Sequence, residues 1–480
     1  MSPIKAAAAV VIGCIAGAPL FAGDAPAPSS NPSNNPPWWS IFQDGVLDHL
    51  EDEAMAANQD LRQAVARVTE ARAQAGMTAS GFYPNLSAPL LASRQRTTNT
   101  GPITVSRLVG PNPFSAATGP NLPDTFAGQA LTNTYDDFQA PLVVGYEVDV
   151  FGRIRHAYGQ ARANAQASLA DRQEIKLSLT SQVAANYFAL RAADSEVAVL
   201  RSAVRLRADA EQIQERRVKG GAASDVDFLR ARVEEANTEA DLVDSIQERV
   251  ELETALAELC GQPAGDFHVA PQPLDQVSPP AVPATIPAQA VTRRPDLVEA
   301  ERRIVAAGEG IKAARAQFFP VLNVQAGYGF ESSQATQLLE NQSRAWSITG
   351  AINIPIFDGG RDAAGLKAAR ARNEEALAAY RDATLKALGE VNDALSNLRQ
   401  RAAQADARRR AAEDARRVFQ ASQQSYSEGA MTYFEVIDAE RVLLTAELSQ
   451  VRTLGIRYAA TVELIRATGG GFGDAPGGSQ

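Results

Sequence analysis

Four segments of the chain alternate between apolar and polar residues. In 322–330 one face is Leu322, Val324, Ala326, Tyr328 and Phe330, and the other is Asn323, Gln325, Gly327 and Gly329. A period of two predicts a strand with one apolar face. Segment 346–356 aligns Trp346, Ile348, Gly350, Ile352, Ile354 and Ile356; segment 142–150 aligns Leu142, Val144, Tyr146, Val148 and Val150, its polar face ending in Glu147 and Asp149. A fourth, less regular strand is expected near 86–96. Elsewhere small and apolar residues recur every three or four positions, which predicts helices packed in coiled-coil hairpins. They are expected at about 47–80 with a break near Asn58, at roughly 154–218 and 225–260, and at roughly 362–427 and 433–467. At 1.5 Å per residue the longest would reach ~100 Å. Gly220-Gly221-Ala222-Ala223-Ser224 and Gly429-Ala430-Met431-Thr432 supply the hairpin turns.

The pattern occurs twice. Asp60-Leu61 through Phe82-Tyr83-Pro84 returns as Asp296-Leu297 through Phe318-Phe319-Pro320, at a constant offset of 236 (296 − 60; 320 − 84). From Arg153, matched by Arg361, the offset is 208, so the first copy holds 28 extra residues (236 − 208) between Pro84 and Arg153. Repeats of this kind build pseudo-symmetric objects. The expected organisation is a first repeat at 47–270, a Pro-rich linker at 271–288, a second repeat at 289–472 and a tail at 473–480. Residues 24–46 form an N-terminal tether after a signal peptide at 1–23, or at 1–13 if Cys14 is acylated.

Composition narrows the function. A net charge of −10 disfavours nucleic acid. The three histidines are far apart, and no nucleophile triad, phosphate loop or dinucleotide fingerprint occurs, so neither enzyme, metal nor cofactor is expected. Lys5 followed by an uncharged 6–23 reads as an export signal. No later run of 18 apolar residues occurs, so no transmembrane helix is expected. Cys14 sits in Val11-Ile12-Gly13-Cys14, a loose lipoprotein box; the other reading is an ordinary signal cleaved after Ala18 or near Ala22. Cys260 is left without a partner.

Strands of about ten residues suit a tilted membrane strand, although a soluble sheet on helices would alternate in the same way. Four strands cannot close a barrel, and open edges are not tolerated in lipid, so membrane strands would have to be pooled from several chains.

At its motifs the chain resembles the TolC-like outer-membrane efflux proteins, closest to the OprM/NodT branch. The resemblance runs from Pro37-Trp38-Trp39 to Gly469-Gly470-Gly471-Phe472. Its most specific parts are Arg294-Pro295-Asp296-Leu297 with Ala300-Glu301-Arg302-Arg303, then Phe319-Pro320, then Pro355-Ile356-Phe357-Asp358-Gly359-Gly360-Arg361. It implies a mainly α fold with a transmembrane β part. Duplicated long helical hairpins form a trimeric helical barrel, continued by a twelve-stranded β-barrel with four strands per chain. It implies a homotrimer in outer-membrane lipid, reaching through the periplasm to a periplasmic adaptor and an inner-membrane efflux pump. The function implied is an exit duct for small toxic compounds; a duct for one-step protein secretion and a soluble periplasmic coiled-coil scaffold are the alternatives.

By the same resemblance the gate lies at the hairpin tips. Phe434 would form an apolar constriction, with Glu435 and Asp438 as acidic rings. Asp227, Tyr426 and Arg441 would latch the hairpins, and the turns at Gly221, Ser224, Gly429 and Thr432 would meet the adaptor. Some family members carry an Arg where this chain has Met431. Glu147 and Asp149 are expected to face the lumen. The spacing also allows a plainer role: Ser224 with Asp227 and Thr432 with Glu435 fit capping boxes, and Asp438 with Arg441 fits an exposed helix pair.

Overall fold

The structure is a computed structural model that describes residues 37–96, 134–222, 224–274 and 291–470. Cys14, both signal-cleavage positions, the C-terminal tail and most of the tether and linker lie outside the described residues. The helices are α1 (Gly45–Ala57), α2 (Gln59–Ala79), α3 (Arg153–Lys219), α4 (Asp225–Leu259), α5 (Pro295–Ala316), α6 (Arg361–Ser427) and α7 (Tyr433–Ala467). The strands are β1 (Asn85–Ser87), β2 (Leu91–Arg96), β3 (Thr134–Val148), β4 (Val321–Ser332) and β5 (Arg344–Asn353). Both copies give a 67-residue helix followed by a 35-residue helix. Among the described residues no helix is long and apolar enough to cross a membrane.

The described residues form two compact units, one drawn from those within 70–166 and 302–377, the other from those within 31–69, 167–301 and 378–480. The first holds an antiparallel sheet in the order β1-β3-β4-β5, with β2 also on β3. β1 and β2 share one register. Ser87 pairs with Val143 and Leu91 with Gln139, which puts Pro89 opposite Pro141. Neither proline has an N–H for the ladder, and the expected single strand at 86–96 is therefore two pieces. β3 begins at Thr134, earlier than its alternation suggested, because Asp136, Asp137 and Gln139 carry no apolar signal yet pair with β2. β5 stops at Asn353 rather than at residue 356, since Pro355 cannot continue the ladder.

The rows Leu142↔Tyr328↔Trp346 and Val148↔Leu322↔Ile352 place the apolar residues on one face. That face is bare: Trp346 is 62% exposed, Ile352 65% and Leu142 51%. A contiguous exposed apolar surface marks contact with lipid or protein.

In the second unit the N-terminal segment packs on helices. Trp39, Phe42, Leu47 and Leu50 join Val183, Tyr187 and Phe188 of α3, Leu256 of α4, Cys260, and Tyr458 and Ile465 of α7. Phe188 stacks on Tyr458 with ring centroids 4.6 Å apart. Asp44 caps α1 by accepting from the Val46 and Leu47 amides at 2.9 and 3.3 Å, and it also accepts from the Tyr187 hydroxyl. The expected break at Asn58 is a cap: its side chain accepts from the Leu61 amide and donates to the Leu259 carbonyl, both at 3.0 Å. Arg294 is buried. It donates to the Ala467 carbonyl at 3.0 Å and pairs with Asp296 and Glu390, each at 2.8 Å. The motif Arg294-Pro295-Asp296 thus starts α5 with proline in the first helical position and fastens it to the end of α7.

Glu51 on α1 is fully buried, and neither carboxyl oxygen has a hydrogen-bond partner. Burial, helped by Asp52 and Asp48 and opposed by Lys176, pushes it up to about 9 from the ordinary 4.5. Between those values the unfolded chain releases a proton that the folded chain keeps, so stability falls as pH rises through this window. Glu51→Gln is expected to raise the melting temperature at pH 8, by on the order of a few kcal/mol in stability, and to leave it unchanged near pH 4.5. Equal melting of both proteins at pH 8 would contradict this.

Candidate functional site

The two hairpin turns use one solution. Gly221 and Gly429 lie at φ 73° and 78°, where a side chain is strained. The amides of Ala222 and Ala430 return to the carbonyls of Arg217 and Ser425 at 2.8 Å, closing the preceding helices as Schellman motifs do. The next helices are capped. Ser224 accepts from the Asp227 amide at 3.3 Å, and its hydroxyl donates to the Asp227 carboxylate at 3.0 Å. Glu435 accepts from the Thr432 amide at 2.7 Å and from its hydroxyl at 3.1 Å. The capping box read from the spacing is complete at Thr432 with Glu435, while at the first tip Ser224 caps the Asp227 amide and the Asp227 carboxylate answers through the Ser224 hydroxyl.

Beyond the caps the residues part company. Asp227 reaches Arg230 at 3.7 Å, and the Arg230 guanidinium lies 5.2 Å from the centre of the Phe434 ring. A cation over an aromatic face is attracted by the ring quadrupole. The two hairpins therefore touch at the tip through Asp227, Arg230 and Phe434, and Phe434 is still 51% exposed. Tyr426 lies deeper. Its hydroxyl accepts from Gln214 at 3.0 Å and from Arg217, and its ring lies 5.6 Å from that of Tyr433. Burial pushes the Tyr433 hydroxyl up to about 12. Asp438 is exposed. Arg441 bonds to Glu234 of α4 and is thereby turned toward the first hairpin of its own chain.

One network was missed in the sequence. Arg207 of α3 pairs with Glu440 of α7 at 2.9 Å and Glu234 at 3.4 Å, and donates to the Glu234 carbonyl at 2.9 Å and to the Thr238 hydroxyl. Its side chain is 6% exposed, that of Glu234 9% and that of Glu440 12%. Hydrogen bonding to Arg441, with Arg207 nearby, holds the Glu234 carboxyl below the usual range despite its burial. Glu440 has Arg207 alone, and burial wins there, pushing its carboxyl up. A signal existed: Leu200, Arg207 and Gln214 recur every seven residues on the inward line of α3, so a charge and an amide occupy coiled-coil core positions.

Glu147 and Asp149 serve the strand-to-helix turn. Arg153 grips Glu147 with two bonds, at 2.8 and 2.6 Å. Asp149 lies past the end of β3 and accepts from the amides of Ile154 and Arg155 at 3.1 and 2.8 Å. Asp358 does the same for α6 through the amides of Gly360 and Asp362, at 2.8 and 2.7 Å.

A mostly helical chain with long paired hairpins carries a sheet whose apolar face is bare, the surface a membrane protein presents to lipid. The family model for "Outer membrane efflux protein" matches residues 50–262 and 286–470. The pyoverdine export outer membrane protein OpmQ of Pseudomonas aeruginosa is 30% identical over 437 residues, 91% of this chain and 87% of that protein. The probable outer membrane lipoprotein SilC of Salmonella typhimurium is 27% identical over 449 residues, 93% of this chain and 90% of that protein. The solved outer-membrane channel OprN superposes with a TM-score of 0.79 at 28% identity, covering 91% of this chain and 92% of that one. The chain belongs to the outer membrane efflux protein family. It is an outer-membrane channel protein that serves as the exit duct of a tripartite efflux system.

Proposed function

We propose that three copies pool four strands each into a twelve-stranded barrel, that the two repeats at 47–270 and 289–472 supply six hairpins to one tube, and that the tips form its gate. The observation that carries this reading is the sheet of the first unit. Among the described residues it has an uncovered apolar face and two open edges, β5 on one side and β1 with β2 on the other. Lipid tolerates no open edge. The cargo in this reading is small toxic compounds, handed over by an inner-membrane pump through a periplasmic adaptor that meets the turns at Gly221, Ser224, Gly429 and Thr432. Acylation of Cys14 would add a lipid anchor to the strands. Glu147 and Asp149 are proposed to border the lumen while holding their turn. Detergent-solubilised protein is expected to have the mass of three chains; a detergent-independent monomer would overturn the reading.

The gate assignment carries its own expectation. Three exposed Asp438 carboxylates and three Phe434 rings would converge on one axis, with Glu435, Asp227, Tyr426 and Arg441 behind them. Asp438→Ala is expected to weaken block by trivalent cations in planar bilayers by about tenfold, because the fixed negative charge that concentrates cations is lost. Phe434→Ala is expected to raise single-channel conductance and to leave the trimer mass unchanged. Wild-type conductance and block in both variants would leave these residues as hairpin structure alone.

A further inference from the structure

At the end of the sheet from which the long helices leave, each of three adjacent strands has an arginine a short way beyond it. The row Val148↔Leu322↔Ile352 sets β3, β4 and β5 level. Arg155 follows that row by seven residues (155 − 148), Arg315 precedes it by seven (322 − 315) and Arg361 follows it by nine (361 − 352). All three belong to the unit that holds the sheet. The same rim is apolar. Ile354 and Ile356 continue the line of Ile348 and Ile352 past the end of β5, and Ile356 and Phe357 are 94% and 90% exposed. Phe318 and Phe319, just before β4, are half exposed, and Phe319 stacks on Phe151 with ring centroids 4.8 Å apart.

The charges of this rim are sorted by exposure. Its carboxylates are held. Asp149 accepts from the Ile154 and Arg155 amides, Asp358 from the Gly360 and Asp362 amides, and Arg153 grips Glu147. Glu309 takes His156 and Lys312, each at 2.7 Å. The side chains of Asp149 and Asp362 are 11% exposed, whereas those of Arg155 and Arg361 are 62% and 80% exposed and reach these acids only at 3.4 and 3.3 Å. Arg315 is exposed and forms no ion pair with a described residue. Helix stability does not account for two of these cations. Arg155 lies in the first turn of α3, which has no acid, and Arg361 is the first residue of α6; a positive charge opposes the helix dipole there.

We propose that Arg155, Arg315 and Arg361 bind the phosphate of an anionic glycerophospholipid, whose acyl chains lie on Ile356, Phe357 and the bare face of the sheet. A guanidinium offers a phosphate two parallel N–H bonds, and an arginine stem lies comfortably along apolar surface while its head stays in the polar layer. Free phosphate would satisfy the arginines and leave the adjoining apolar surface in water; a lipid covers both. Continuity with the apolar face of the sheet therefore selects the lipid. The choice of a glycerophospholipid over lipid A rests on the exit-duct orientation, in which the end bearing the long helices borders the periplasmic leaflet. The preference for a net negative headgroup comes from the excess of outward-facing cations, each of which adds to the attraction of an anionic surface.

The test is native mass spectrometry of the detergent-solubilised full chain offered equal amounts of phosphatidylglycerol and phosphatidylcholine. The wild type is expected to retain the anionic lipid at least about tenfold over the zwitterionic one. Arg155→Gln with Arg315→Gln and Arg361→Gln is expected to remove that preference and to leave retention of phosphatidylcholine unchanged. Arg315→Gln alone breaks no ion pair, so it reads the charge without risk to the fold; it is expected to lower the preference about fivefold. Replacing all three by Lys keeps the charge and is expected to keep most of the preference. Equal retention of both lipids by the wild type, or an undiminished preference in the Gln variants, overturns the proposal. In a second arm lipid A competes with phosphatidylglycerol, and stronger retention of lipid A overturns the assignment to a glycerophospholipid. Retention is counted per chain, so a wild-type monomer would overturn the trimer reading and leave this one standing.

Discussion

Gly329→Val is expected to abolish assembly, lowering the yield of detergent-stable oligomer in the outer-membrane fraction at least about tenfold, whereas Gly350→Val is expected to keep it. Gly329 pairs with Pro141. A Cβ on Gly329 would lie 2.3 Å from the Ala140 carbonyl oxygen and 2.4 Å from the Pro141 Cα. Both are backbone atoms of β3, which is held on its other side by β1 and β2. A flexible side chain could swing away from such a clash, but this row cannot. Overpacking usually costs about 1–3 kcal/mol, and a collision with backbone inside a ladder belongs at or above the top of that range. A Cβ on Gly350, in β5 of the same sheet, would meet nothing within 4 Å, so it controls for losing glycine in a strand. Normal oligomer yield from Gly329→Val would show that β3 and β4 do not approach as described.

Arg207→Met is expected to cost about 3–5 kcal/mol, as breaking one side of a buried ion network does. It leaves Glu234 and Glu440 buried, with Arg441 as the remaining partner of the first. Arg207→Met combined with Glu234→Gln and Glu440→Gln is expected to recover most of the loss, because an uncompensated charge is costlier than a neutral buried group. The sign of the pH dependence follows. Burial already raises the Glu440 carboxyl in the wild type. Without Arg207 it rises further, so its penalty is absent below the ordinary carboxylate range and grows as pH climbs above it. The single variant should therefore fall furthest behind the wild type at pH 8 and least near pH 5 in thermal melts. A deficit independent of pH would mean that lost packing of the Arg207 side chain, and not charge, sets the cost.

Periodicity made the hairpin helices and the 47–80 segment legible because burial repeats along them, whereas α5 (Pro295–Ala316) was not among the expected helices. Even the stop at Asn58 could be read, since a capping side chain lies where the pattern breaks. The sheet was legible where one face is apolar. It was misread where Asp136 and Asp137 pair without any apolar alternation, and at Pro89, whose effect depends on Pro141 standing opposite, a long-range fact. The tips divided along the same line. Ser224 with Asp227 and Thr432 with Glu435 are local and could be read from spacing. Arg207 meets partners 27 and 233 residues away, and nothing in its neighbourhood names them. Arg441 looked like a companion of Asp438 three residues back, but a buried carboxylate on another helix holds it more closely.

Equal lengths of 67 and 35 residues in both copies limit how such a chain can evolve. One residue inserted into a long helix lifts everything beyond it by 1.5 Å and turns it by about 100°. Inserted in a single hairpin, it would carry that tip out of step with its twin and swing Arg207 or Tyr426 away from its partner. Deletions and insertions are thus confined to connections that bear no register. The 28-residue excess of the first copy, lying between Pro84 and Arg153 and outside both hairpins, is where growth could be accepted without retuning the hairpins.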